Sequence, residues 1–148
     1  MTESIFIQRI ESMTNRLYRI CKTILRSDAD CQDAVQNAVF NAWRYIHTLR
    51  ENESFDGWMI RITINECKKL ARKCPDTQPL DENLVSTRKE DALWEVIHAL
   101  DEKYRIPVEL HYVENYSVRQ IAHILRLPEG TVKRRLHTAR NLIKQGYI

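Results

Sequence analysis

Three glycines and four prolines in 148 residues leave little material for tight turns, and no Val-, Ile- or Thr-rich alternating runs stand between turn signals. Both shortages argue against strands, which need such punctuation at their ends. No apolar run approaches the roughly 18 residues a membrane span requires, and no basic-then-apolar signal segment opens the chain. A cytoplasmic protein without direct membrane insertion is expected. Cys21, Cys31, Cys67 and Cys74 form no C-x-x-C pair and no metal-ligand spacing. Cys21 and Cys67 fall on or beside apolar helix stripes, so buried reduced thiols are expected, with no metal and no cofactor. The five histidines are scattered, and H-E-x-x-H, P-loop and G-x-S-x-G motifs are all missing. Nothing marks an enzyme or a small-molecule substrate site.

What remains is helix. The chain is 43% hydrophobic and 29% charged, a globular composition, and its apolar residues recur at spacings of three and four. The fold class is all-α. Ile10, Met13, Leu17, Ile20, Cys21, Ile24 and Leu25 predict a first helix over about 5–26, amphipathic on one side. Ser27 caps a second, with Asp28 and Asp30 placed to suit the helix dipole. Its stripe is Val35, Ala38, Val39, Ala42, Ile46 and Leu49; Asp33, Gln36, Asn37, Asn41 and Arg44 lie opposite, with Phe40 beside them. A polar break at 50–54 precedes a third helix from Phe55 to about Lys73, bulky first and basic later. Further on, Leu93, Val96, Ile97 and Leu100 make one short stripe. Ile106, Leu110 and Val113 make another around Tyr104, with Pro107 tolerable if that helix starts near Arg105.

The most informative stretch is 117–144, SVRQIAHILRLPEGTVKRRLHTARNLIK. Val118, Ile121, Ala122 and Leu125 recur at helix spacing behind a capping-box pair, Ser117 and Gln120. A turn at Arg126–Leu127–Pro128 leads to a second helix with the stripe Val132, Leu136, Ala139 and Ile143. Lys133, Arg134, His137, Arg140 and Lys144 lie off it. Two helices on a short turn, the second cationic outside, are the pattern of a DNA-binding helix-turn-helix. From Ser117 onward seven Lys/Arg face one acid, Glu129.

Charge also divides the chain. Residues 1–74 hold twelve bases and nine acids, 75–100 two and six, and 101–148 nine and five. Two basic ends flank an acidic middle. Two small helical domains, 1–74 and 91–148, are expected, joined by a flexible linker at 75–90. As a coil those residues average about 22 Å end to end and stretch to about 50 Å. Sites more than one DNA turn (about 34 Å) apart come within reach.

The stretch DAVQNAVFNAWRYIHTLRENESFDGWMIRITINECKKLARK resembles the core of the extracytoplasmic-function (ECF) sigma factors of bacterial RNA polymerase. LDEKYRIPVELHYVENYSVRQIAHILRLPEGTVKRRLHTARNLI resembles the same family's promoter-distal domain. The resemblance implies a protein without a reaction of its own, which lends promoter specificity to RNA polymerase core. Residues 1–74 would be sigma domain 2 and residues 91–148 sigma domain 4. Core docking would fall to Asp33, Gln36, Asn37, Phe40 and Arg44, although Asn37 departs from an acid common in the family. Melting and holding the −10 element would fall to Trp58, Arg61, Asn65, Lys68 and Lys69, with the loop 51–54 completing the base pocket. The −35 reader would be Lys133, Arg134, His137 and Thr138, with Arg119, Arg135 and Arg140 on phosphates. Arg126 stands where the family's turn usually has Gly, which implies mild strain if that site needs positive φ. The family also implies an anti-sigma partner. The rival is a two-domain helix-turn-helix regulator that binds a palindrome as a dimer without polymerase.

Overall fold

The computed structural model describes residues 1–73 and 95–147, with side chains through Gly146. The expected linker, the onset of helix at Asp91, Leu93 and Cys74 lie outside the described residues. Among those described there is no strand, so the all-α expectation is met.

Helix α1 (Glu3–Ile24) starts at Thr2, whose hydroxyl accepts the Ile5 N–H at 3.3 Å. It ends two residues earlier than its periodicity suggests. The reason is Ser27, which accepts the Asp30 N–H at 3.3 Å and so must leave the helical backbone to cap α2 (Asp28–Arg44). The α2 stripe reads as expected through Ala42. Ile46 and Leu49 then pack on the core from a 3-10 turn (Ile46–Thr48) and its exit rather than from the helix itself. Helix α3 (Phe55–Lys73) opens where Ser54 receives two backbone N–H groups, Gly57 to its hydroxyl and Trp58 to its carbonyl. The three helices pack mutually around Met13, Leu17, Ile20, Met59 and Ile60.

The C-terminal part comprises α4 (described over 95–99), α5 (Glu102–Val108), α6 (Val118–Leu125) and α7 (Glu129–Tyr147). Helix α5 begins at Glu102 rather than near Arg105, so Pro107 sits near its end and not in its first turn. Pro107 has no N–H for the Lys103 carbonyl, and the chain widens immediately afterwards into a π-helical turn (Glu109–Val113) closed by Glu114 N–H on the Glu109 carbonyl. The wider turn shifts the helical phase. Leu110 stays buried, but Val113, expected in the core, is 41% exposed.

The capping box forms as read. Ser117 Oγ accepts the Gln120 N–H at 3.1 Å, and Gln120 Oε1 accepts the Ser117 N–H at 2.9 Å. Arg126 terminates α6 in the left-handed region, φ 57° and ψ 47°, and Leu127 N–H closes back on the Ala122 carbonyl at 2.9 Å. That is a Schellman-type stop in which an arginine holds the place glycine favours. The positive φ raised as a condition from the sequence is therefore present.

The two parts are packed on one another. α3 lies against α6, and α1 lies against α5 and the π turn, so a single buried cluster runs through both.

Candidate nucleic-acid and polymerase interfaces

Helix α7 is fixed by Val132, Leu136 and Ala139, all buried against its own neighbours. Successive residues turn by about 100°, so the positions between them must face outward. Lys133, Arg134, His137 and Arg140 are exposed; Arg135 and Thr138 are half-buried. Arg119 is exposed on α6, and Asn141 meets His137 at 3.4 Å one turn along α7. A row of cations on a helix held by a helix-turn-helix scaffold suits the major groove.

On α2 the residues Asp33, Gln36, Asn37, Phe40 and Arg44 are all exposed and share one face. Phe40 is 66% exposed, and the Arg44 guanidinium carbon lies 5.6 Å from its ring centre. Asn41, grouped with them by sequence, turns away instead. Its amide donates to Glu66 Oε1 at 2.7 Å, which Lys69 Nζ also approaches at 3.2 Å. The buried Glu66 thereby keeps two donors. Phe40 is thus a large apolar ring left in water among polar side chains.

The residues assigned to the −10 element are arranged differently. Trp58 is 9% exposed and packs against Phe55, with ring centres 6.0 Å apart. Arg61 donates from Nε to the Ile124 carbonyl at 2.9 Å and from Nη2 to the His123 carbonyl at 3.1 Å. Those carbonyls are left without helical partners where α6 stops, so a cation suits them by hydrogen bonding and by the helix dipole. Burial, then the charge of Arg126, lowers the Arg61 pKa below the usual guanidinium value. Lys68 Nζ approaches Glu102 at 3.7 Å, while Asn65 and Lys69 are exposed. A cleft of about 640 Å³ opens between the two parts, lined by Ser54, Gly57, Arg61, Tyr116 and Arg119 among others.

Sequence reasoning missed the groups that join the parts. Arg19 makes a two-pronged contact with Glu114, Nη2 to Oε1 at 2.7 Å and Nε to Oε2 at 3.2 Å. Arg16 donates to the Tyr116 hydroxyl at 2.9 Å and lies 3.5 Å from Asp56. Glu109 is 2% exposed. Burial first, then a hydrogen bond and charge shared with Glu114, push its pKa up to about 9 against the attraction of Arg19. Glu114 feels burial in the same sense, but its hydrogen bonds with Arg19 and Glu109 outweigh this and leave its pKa lowered.

Glu109 therefore keeps its proton at neutral pH, whereas in the unfolded chain it ionises near 4.5. The stability due to its protonated form is whole below that value and is lost as pH rises toward about 9. Thermal unfolding followed between pH 5 and pH 9 should show a midpoint that falls with pH in the wild type and falls less in Glu109→Gln. Parallel profiles would contradict the assignment.

Cys21, Cys31 and Cys67 are buried free thiols, with the Cys67 and Cys21 Sγ atoms 3.2 Å apart. Burial raises the Cys31 pKa to about 12, which keeps that thiol protonated. Among the described residues no helix is long and apolar enough to cross a membrane, and no cluster of ligating side chains could hold a metal.

Comparison with known proteins matches two regions of the chain. The family model for Sigma-70 region 2 matches residues 9–74, and that for Sigma-70, region 4 matches residues 90–143. With both regions present in order, the chain belongs to the sigma-70 family. It is an ECF sigma factor, an alternative sigma factor that binds RNA polymerase core and directs promoter-specific transcription. The ECF RNA polymerase sigma factor SigW of Bacillus subtilis is 25% identical, over 95% of this chain and 87% of its own. The ECF RNA polymerase sigma-E factor of Haemophilus influenzae is 28% identical, over 78% of this chain and 73% of its own. Among solved structures, the sigma factor RpoE of Bartonella quintana, in complex with the anti-sigma factor NepR, superposes with a TM-score of 0.78. It is 18% identical, and the match covers 96% of each chain.

Proposed function

We propose that the three surfaces divide promoter recognition as follows. The α2 face of Asp33, Gln36, Asn37, Phe40 and Arg44 docks on polymerase core, with Phe40 as its apolar anchor. Residues 1–74 act as domain 2, in which Trp58, Arg61, Asn65, Lys68 and Lys69 receive the melted −10 element. Unstacking a base costs a few kcal/mol. Trp58, 9% exposed and packed against Phe55, supports α3 beneath the base rather than stacking on it. Hydrogen bonds from Asn65 and phosphate contacts from the three cations offset the cost.

Residues 91–148 act as domain 4. Lys133, Arg134, His137 and Thr138 read the −35 element in the major groove, while Arg119, Arg135 and Arg140 hold phosphates. The 75–90 segment links the two domains. The protein works in the cytoplasm and catalyses no reaction itself. It meets an anti-sigma factor, as RpoE of Bartonella quintana does with NepR.

The observation that carries this reading is the outward cationic row on α7 together with the exposed Phe40 face on α2. Neither surface serves the fold. Permanganate probing of thymines at a promoter with core polymerase tests the −10 assignment. The double variant Asn65→Ala/Lys69→Ala removes two exposed side chains and should cut reactivity around −10 at least about fivefold while −35 protection persists. Undiminished reactivity would place melting elsewhere.

A further inference from the structure

Arg126 ends α6 at φ 57° and ψ 47°, a conformation glycine adopts freely and a residue with a Cβ adopts under strain. The stop needs only backbone, because Leu127 N–H closes on the Ala122 carbonyl at 2.9 Å. The arginine side chain is exposed and forms no hydrogen bond or ion pair among the described residues. Strain kept at a position that the fold does not explain points to a use outside it.

Arg126 lines the cleft of about 640 Å³ together with Arg61 and Arg119, so three guanidiniums border one hollow. Arg61 gives Nε and Nη2 to the α6 carbonyls. Burial first, then the charge of Arg126, lower its pKa, so the two cations act on each other across the cleft. Of the lining acids, Glu53 acts on Arg61, and Glu129 stands in the first turn of α7, where the helix dipole favours it. Among the described residues neither pairs with Arg119 or Arg126. Like charges gathered in this way are relieved by an anion, and guanidinium forks match the oxygens of a phosphate. Ile124 and Leu127 add an apolar wall suited to an organic body. A hollow of this volume has room for a metabolite but not for a duplex.

We propose that this cleft binds a small phosphate-bearing metabolite of nucleoside diphosphate size, with Arg126 as the residue that grips the phosphate and Arg119 and the free Nη1 of Arg61 beside it. Arg126 belongs to none of the promoter or polymerase surfaces described above, so the site stands or falls apart from them.

Thermal unfolding and titration calorimetry of the full chain, with inorganic pyrophosphate and with ADP, test the site. At millimolar concentration both probes should raise the wild-type midpoint by about 2 °C or more. ADP should bind more tightly than pyrophosphate, because the apolar wall takes its organic part. Without ligand, Arg126→Gly should melt higher than wild type as the strain is released. It should also lose at least about tenfold in ADP affinity, the effect of one hydrogen bond to a charged group. Arg126→Lys keeps the charge without the fork and should bind between the two. No saturable binding of either probe to the wild type would overturn the site, as would Arg126→Gly binding ADP as tightly as wild type. So would an equal rise with sodium sulfate at matched ionic strength, which marks charge screening alone. A short DNA duplex that stabilises the wild type more than ADP does, and loses that effect in Arg126→Gly, would overturn it too and give the arginine to promoter phosphates.

Discussion

Transcription from a −35-dependent promoter falls on the order of 30-fold or more when Lys133 and Arg134 are both replaced by alanine. Each is exposed on α7, so the fold loses no packing. A contact to a guanine edge accounts for about 1–3 kcal/mol, and two such losses combine to at least that fold-change. Binding to core polymerase stays within about twofold of wild type, because α7 lies far in sequence and role from the α2 face. The dependence of promoter binding on salt also flattens, since every cation removed from the duplex releases fewer counterions. Run-off transcription over a series of salt concentrations measures both effects. A matching loss of core affinity would count against a DNA-reading role for the pair.

Gln36→Ala with Phe40→Ala reverses that pattern. Phe40 is 66% exposed, so its removal costs the free protein almost nothing and slightly relieves it of wet apolar surface. In a docked complex the same ring becomes a buried anchor, the kind of residue that carries about 2 kcal/mol or more of an interface. Core affinity is expected to drop roughly 30-fold, with the thermal midpoint unchanged. Loss of Phe40 also frees Arg44, now held over its ring, which adds to the effect. A fluorescence titration of labelled protein with core decides the matter, and unchanged affinity would remove this face from the docking site.

Local features were legible in the sequence because their partners are local. Ser117 and Gln120 satisfy each other across three residues, Ser27 satisfies a donor three residues on, and both appear as read. The helix-turn-helix and the α2 stripe needed only periodicity. Arg126 could be singled out because the family resemblance puts a glycine there, and the observed φ of 57° gives the reason.

The features that escaped have partners far along the chain. Arg61 reaches carbonyls about 60 residues away, and Arg19 and Glu114 are separated by 95. Ile124 falls outside the stripe that holds α6 to α7, and only the presence of α3 explains its burial. Pro107 and the π turn show a further limit. A helical period assumed to be constant predicts Val113 inside, and one widened turn puts it outside.

The same long-range contacts join two parts that composition had separated. Charge asymmetry divided the sequence into two basic ends and an acidic middle, but charge says nothing about whether the ends touch. The Arg19–Glu114 fork shows how they do. It sets a cation of the first block against one of the few acids in the second, a pairing invisible in net charge.

Single-round transcription on a template library randomised through the −35 and −10 positions, with and without core polymerase, tests the central claim most directly. With core and this protein together, initiation should start at a defined position and recover a fixed pair of motifs separated by more than one helical turn. Either component alone should yield none. Equal selection of DNA by the protein without core, or no specific start with core present, would contradict the account.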